Sequence, residues 1–198
     1  MAPNQAANGS PIVSKGRVFL TTPEDDEGKG RSLYCFERET GKQLWVQTVG
    51  FGRVMPTHKT NSYGGSTPAS DGEWVVVWHA SAGLHCYSLA GKKLWKRDPG
   101  EFRDDWVNGT SPVLRDGKII LHTGPGKREL VTALDMKRGE TLWETDEPDF
   151  RSTEDIGASR RVLVHAVEQR RARQGVVVCD HATRVVGYSL ATGAIVWT

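Results

Sequence analysis

No stretch of this 198-residue chain approaches the roughly 18 consecutive apolar residues that a membrane-spanning helix requires. Sustained 3.6-residue periodicity is missing too, which excludes a helical bundle or helical solenoid as the main architecture. Charge of one sign is equally scarce. Against 26 basic residues stand 24 acidic ones, and a net charge of +2 gives no long-range field that argues for a nucleic acid or an anionic membrane as partner. The one basic cluster, Arg160-Arg161 with Arg170-Arg171 and Arg173, lacks a recognised motif or interleaved aromatics and reads as a solvated surface. Met1–Ser10 has neither the charged start nor the apolar core of a secretory signal, so the segment taken alone predicts a chain that stays in the cytoplasm. Cysteine is limited to Cys35, Cys86 and Cys179, an odd number with no adjacent pair. That predicts small buried thiols and no disulfide framework.

What the chain has in abundance is repetition. Four times an apolar run leads into a polar turn with glycine and then a tryptophan: Leu33 to Trp45, Leu84 to Trp95, Val131 to Trp143 and Val185 to Trp197. The tryptophans are 50, 48 and 54 residues apart, the period of a four-stranded propeller blade and too long for the common helical repeats. Ser10-Pro11, Thr67-Pro68 and Ser111-Pro112 keep the same beat, each opening a short strand followed by Lys15-Gly16, Asp71-Gly72 or Asp116-Gly117. Asp-Gly between apolar stretches signals a hairpin, because both central residues of a type I′ turn need positive φ. The fold class is therefore all-β, with four-stranded antiparallel blades at approximately residues 10–50, 67–101, 111–146 and 160–198. The last blade shows only its final three strands clearly, at 175–179, 185–190 and 194–198.

The position ten residues before each tryptophan, or nine in the second copy, is Cys35, Cys86, Ala133 or Gly187. Small residues are expected there if one sheet packs closely on the next. Trp45, Trp95, Trp143 and Trp197 then predict one large aromatic per blade lying between adjacent sheets.

Thr40-Gly41-x-x-x-Trp45 and Thr192-Gly193-x-x-x-Trp197, with Ala133, Asp135, Gly139 and Trp143, resemble the repeat of the pyrroloquinoline-quinone (PQQ)-like β-propeller family. The third copy has Arg138 where that repeat has threonine, and the second is one residue short, with Ala90-Gly91 at its turn. The match covers nearly the whole chain and is weakest from about 147 to 174. Such a resemblance implies a ring, typically of eight blades, of which 198 residues would hold four. It also implies an exported protein, in conflict with the amino-terminal segment. Family members divide between quinoprotein dehydrogenases and non-catalytic scaffolds of the outer-membrane assembly (BamB) type. The dehydrogenases hold PQQ beneath a disulfide of adjacent cysteines, with calcium ligands and a catalytic aspartate, and none of these can be carried onto a position here. The leading expectation is a non-catalytic module that binds a protein or an extended ligand and holds no cofactor. The alternatives are a fragment of a PQQ- and calcium-dependent dehydrogenase, or the extracytoplasmic sensor region of a receptor. Half a ring leaves two sheet faces open, which predicts a partner carrying the missing half, or self-association.

Topology places the varied loops at one end of the blades and the tight glycine turns at the other. Binding generally lives on such loops. The candidate contacts are His58, Lys59, Asn61 and Tyr63 in one interblade loop and Arg103, Asp104, Asp105, Trp106 and Asn108 in the next, with His79 and His122 where two second strands end. His79 and His122 occupy roughly equivalent places, so a shared metal is conceivable beside an ordinary packing role. Trp106 precedes a blade instead of closing one, and reads either as a cap on the channel or as an anchor for a partner.

Overall fold

The computed structural model describes residues 7–54, 62–98, 100, 110–123, 130–146, 163–167 (backbone only), 175–180 and 185–198. Among the described residues sixteen strands form four antiparallel sheets, each of four strands in chain order. The first blade comprises β1 (Ile12–Ser14), β2 (Arg17–Pro23), β3 (Gly30–Glu37) and β4 (Gln43–Gly50); the second β5 (Ala69–Ser70), β6 (Trp74–Trp78), β7 (Leu84–Ser88) and β8 (Lys93–Arg97). The third holds β9 (Val113–Arg115), β10 (Lys118–Thr123), β11 (Leu130–Asp135) and β12 (Thr141–Asp146); the fourth β13 (Leu163–Val167), β14 (Val176–Asp180), β15 (Val185–Ser189) and β16 (Ile195–Trp197). This is a β-propeller architecture with four blades. No helix among the described residues is long and apolar enough to cross a membrane.

The first strand of the fourth blade, β13, lies inside the stretch where the repeat pattern is weakest. It pairs with β14 from Leu163↔Asp180 to Val167↔Val176. The Ser/Thr-Pro and Asp-Gly markers that announce the other first strands are absent there, so only the short apolar run signalled it. Two of the three expected type I′ turns form: Lys15 and Gly16 have φ of 46° and 73°, Asp116 and Gly117 of 49° and 70°. Asp71-Gly72 differs. There Ser70 pairs with Val75, and the Asp71 carboxylate accepts the backbone N–H groups of Glu73 and Trp74 at 2.9 and 2.8 Å. That Asx turn satisfies the loop without requiring positive φ at Asp71.

Each Ser/Thr-Pro pair lies just ahead of its strand, because proline has no N–H for the ladder, and the hydroxyls of Thr67 and Ser111 work between blades. The Ser10 N–H donates to Thr67 Oγ1 at 2.9 Å, and the Thr67 N–H to Ser111 Oγ at 2.9 Å. Apolar clusters fill the spaces between sheets. Phe19, Leu33 and Cys35 meet Val75, Val77 and Tyr87; Val76, Trp78, Leu84 and Cys86 meet Ile119, Leu121, Leu134 and Met136; Ile120, Val131, Ala133 and Trp143 meet Val177, Cys179, Val186, Tyr188 and Leu190. Strand alternation thus gives every blade one face for its predecessor and one for its successor.

The tryptophans recur as joints between blades. Trp45 Nε1 donates to the Leu89 carbonyl at 2.9 Å, Trp95 Nε1 to Met136 at 3.1 Å and Trp143 Nε1 to Leu190 at 3.1 Å, each acceptor lying in the turn of the next blade. Each ring lies against the glycine of that turn. A Cβ on Gly91, Gly139 or Gly193 would stand 2.8, 2.7 or 2.4 Å from the facing indole, and all three have φ between 66° and 86°, so both the turn and the indole require glycine. The residue missing from the second copy comes out of the turn: Gly91 N–H bonds to Ser88, three residues back, where Gly139 and Gly193 bond four back. The small column lies between sheets, as expected, with Cys35, Cys86 and Ala133 in the interblade clusters, and it has a second neighbour within its own blade. Cys35, Cys86, Ala133 and Gly187 lie directly across from their own blade's tryptophan, beside a register shift that recurs in every blade, and a Cβ on Gly187 would be 2.3 Å from the Trp197 ring.

Trp143 is buried, whereas Trp45 is only half-buried, contrary to expectation. Replacing Trp143 by alanine should cost about 3–5 kcal/mol, the scale for deleting a buried large aromatic. Chemical denaturation measures it, and a change of a few tenths of a kcal/mol would remove the joint from the account.

Candidate functional site

The loop end of the first two blades is organised around one charge. In the loop from β2 to β3, the Asp25 carboxylate accepts the N–H groups of Glu27 and Lys29 through Oδ1 at 2.9 and 3.0 Å and of Gly30 through Oδ2 at 2.7 Å. The backbone bond from Lys29 leads in holding this carboxyl below its usual range; burial opposes it, and the bonds from Gly30 and Glu27 add to the lowering. So fixed, the loop turns Arg31 inward on the parity of Leu33 and Cys35. Arg31 is 1% exposed.

Its guanidinium is satisfied by backbone and aromatic rings. Nε donates to the Gly28 carbonyl at 3.0 Å, Nη1 donates to the His79 carbonyl of the second blade, and the Phe51 and Tyr63 rings each lie 5.1 Å from the central carbon. Burial pushes the Arg31 pKa down to about 10, which leaves it a cation at neutral pH. Stacking against two aromatic faces stabilises a weakly hydrated guanidinium better than it would an ammonium. Tyr63 in turn covers Gly28, where φ is +65° and a Cβ would fall 2.2 Å from the ring. No larger residue fits there.

Beneath the arginine lie two neutral imidazoles. His79 and His85 are 3% and 1% exposed, with ring centroids 5.7 Å apart, and His85 stacks on Tyr87 at 6.2 Å. His85 Nε2 is 3.0 Å from the Ala82 carbonyl, which assigns the proton to that nitrogen. His85 Nδ1 and His79 Nε2 have no hydrogen-bond partner among the described residues. Burial first, and then the neighbouring His85 and Arg31, drive the His79 pKa well below its ordinary value; burial brings His85 to about 4.

Of the candidate contacts, the structure brings Tyr63 and His79 together, both against Arg31 and both buried, not on an open surface. His122 is elsewhere. It pairs across from Val131, a residue packed toward the fourth blade, while His79 packs toward the first, so the two histidines do not share a site. His58, Lys59, Asn61, Arg103, Asp104, Asp105, Trp106 and Asn108 lie outside the described residues. Arg31, Phe51 and His85 were not singled out from sequence, although the parity of Arg31 with Leu33 and Cys35 already puts it on the inward face. Among the described residues no group of three or more His, Cys, Asp or Glu side chains could hold a metal ion. Cys35, Cys86 and Cys179 are buried in three different blades and form no disulfide, and burial pushes Cys35 to about 11 and Cys86 to about 12. They have the thiol character of packing residues, not nucleophiles.

The two histidines make stability depend on acid. Their folded pKa values lie below the unfolded value near 6.5, so the unfolded chain binds more protons and stability falls as pH drops from about 6.5 toward 4. Thermal unfolding across that window should show the loss, and His85→Gln should flatten part of it. An unchanged pH slope in that variant would contradict the burial of a neutral His85.

A family model described as outer membrane protein assembly factor BamB matches residues 29–198. No curated protein matches. Among solved structures, the quinohemoprotein alcohol dehydrogenase from Comamonas testosteroni superposes with a TM-score of 0.63 at 15% identity, covering 98% of this chain and 34% of that one. The quinohemoprotein alcohol dehydrogenase ADHIIG from Pseudomonas putida HK5 gives 0.62 at 15%, covering 100% and 34%. BamB from Moraxella catarrhalis gives 0.58 at 16%, covering 100% and 52%. At these identities the likeness shows the fold. The chain spans about a third to a half of the length of these proteins.

Proposed function

The chain belongs to the family of the outer membrane protein assembly factor BamB, and from that premise we propose that it is a non-catalytic propeller module of an exported bacterial protein. It binds another protein, or an extended ligand, through the loop end of its blades. The observation that carries this reading is the division of labour between the two ends. Glycine turns close one end, their places taken up by the tryptophan joints. The other end collects the long connections, which are tied to the core by Arg31. A rigid scaffold presenting variable loops is the usual basis of recognition. Outer-membrane protein assembly, the role the family is named for, supplies the partner class: components of that assembly process or their unfolded substrates, met in the periplasm or another extracytoplasmic space.

A quinone of the dehydrogenase kind does not fit the residues present. Its covering disulfide needs adjacent cysteines, and the three thiols here stand in separate blades. No triad of metal-binding side chains accompanies them among the described residues.

Photo-crosslinking from the two ends tests the reading. A crosslinker at Arg53, exposed at the loop end, should yield adducts with outer-membrane assembly components or unfolded outer-membrane proteins, while one at Lys42, exposed in a glycine turn, should not. Equal labelling from both ends would refute the assignment of the face. Stoichiometric PQQ uptake with calcium and alcohol oxidation would refute the non-catalytic reading.

A further inference from the structure

We infer that the outer edge of the first blade, from Val46 to Gly50 on β4, takes up an extended peptide segment as a fifth strand, one with apolar side chains on one face and acidic side chains on the other. Edge strands are where chains add to one another, and propellers keep theirs short and protected. Three of the four outer strands follow that rule. β8 and β12 have five and six residues, with Lys93, Lys96 and Arg97 exposed on the one and Glu144 and Asp146 on the other, and β16 has three. β4 breaks it. Its eight residues, Gln43–Gly50, include neither a charge nor a proline.

The backbone of that edge is open in a defined pattern. No described strand pairs with the outer side of β4. The Phe51 N–H bonds inward to the Lys29 carbonyl, and the pairs Arg31↔Val49 and Leu33↔Gln47 follow it in steps of two. By antiparallel alternation the N–H and C=O groups of Gly50, Thr48 and Val46 therefore point outward. The ladder shifts register between Cys35 and Phe36, so the open run ends there and the turn carrying Lys42 lies beyond it. The edge is also held rigidly. Trp45 and Gln47 each donate to a carbonyl of the second blade, Leu89 and Gly91, at 2.9 Å, and the Ser32 and Thr48 hydroxyls bond at 2.7 Å. An incoming strand meets a template that needs no ordering of its own.

This exposure does not depend on what precedes the first blade. Leu94 and Leu142 hold the place of Leu44 in blades that have a predecessor, and they are 38% and 49% exposed against its 43%. Lys96 and Glu144 hold the place of Val46 and are likewise exposed. Where those blades put a charge, β4 puts valine. The chemistry of the occupant follows from the two sides of the edge. Leu44 and Val46 offer apolar neighbours on one face. On the other, Trp45 and Gln47 meet the second blade, whose rim carries Lys92, Lys93, Lys96 and Arg97, all exposed, with no carboxylate before Asp98. A segment alternating apolar and acidic residues complements both. The site lies on the rim, apart from the loop end, and stands whatever that end binds.

Fluorescence anisotropy of the full chain with a labelled, end-capped peptide of alternating valine and glutamate provides the test. Its counterparts are a peptide alternating valine and lysine, and one with the same valines and glutamates in two blocks. The alternating valine–glutamate peptide should bind saturably, and both counterparts more weakly by about tenfold or more. Val46→Pro removes one outward N–H without cutting the ladder to β3, and Val46→Glu gives β4 the charge that Glu144 gives β12; each should lower affinity by about tenfold or more. The glutamate variant serves should the proline variant unfold. Lys92→Glu combined with Lys96→Glu should erase the preference for glutamate over lysine in the peptide. No saturable binding, equal binding of the three peptides, or affinity unchanged in both Val46 variants would each overturn the proposal. So would a dimer that both variants abolish while the peptide fails to bind, which would give the edge to a second copy.

Discussion

Everything in this molecule depends on how a tryptophan on the last strand of one blade seats against the turn of the next. The turn needs a left-handed residue, the indole needs its Cβ absent, and the N–H needs the carbonyl two or three residues before. Glycine meets the first two conditions at once, which is why the turn glycine and the tryptophan keep step through the chain while residues between them vary. A tryptophan buries about 150–250 Å² and its hydrogen bond adds about 1 kcal/mol net. Since each blade touches only its neighbours, stability is close to a sum over blades and joints. A lost joint therefore weakens one seam.

This also explains which features were legible in the sequence. Turn chemistry and strand periodicity are local, so the last three strands of the fourth blade followed from the sequence to within one residue. The tryptophan's role was visible because its spacing matches the repeat. Less legible were features set by which particular partner a side chain finds. Cys35, Cys86 and Ala133 lie between sheets as the sequence suggested, but that each also pairs across from its own blade's tryptophan was not legible. Asp71-Gly72 became an Asx turn because its carboxylate found two backbone donors, a choice the dipeptide alone does not encode.

The loop end was the least legible part. Tyr63, a candidate contact from its place in an interblade loop, has its ring buried between Gly28 and Arg31, which its position in that loop does not reveal. An arginine at 1% exposure without a carboxylate at its head is costly, and two carbonyls with two aromatic faces offset that cost. The arginine draws the loops at both sides of the first blade onto the second, so it does at the loop end what Trp45 does at the turn end. His79 remains neutral below it, since a second cation there would meet desolvation, His85 and Arg31, and His85 remains neutral chiefly through desolvation, with Lys96 and Lys93 adding to it.

The two ends of a blade are consequently under different constraints. At the turn end a substitution must satisfy a neighbour's indole, so the sequence repeats, and the repeat identifies the fold. At the loop end Arg31 joins only the first pair of blades, and the bonds from Ser10 to Thr67 and from Thr67 to Ser111 are the part of the fit that recurs among the described residues. Periodicity is informative only where every blade must solve the same problem. Recognition is the opposite kind of problem, solved once for one partner. The residues that decide it have no counterpart in the other blades, which is why a chain whose architecture can be read from four tryptophans yields its partner only through the chemistry of its unrepeated loops.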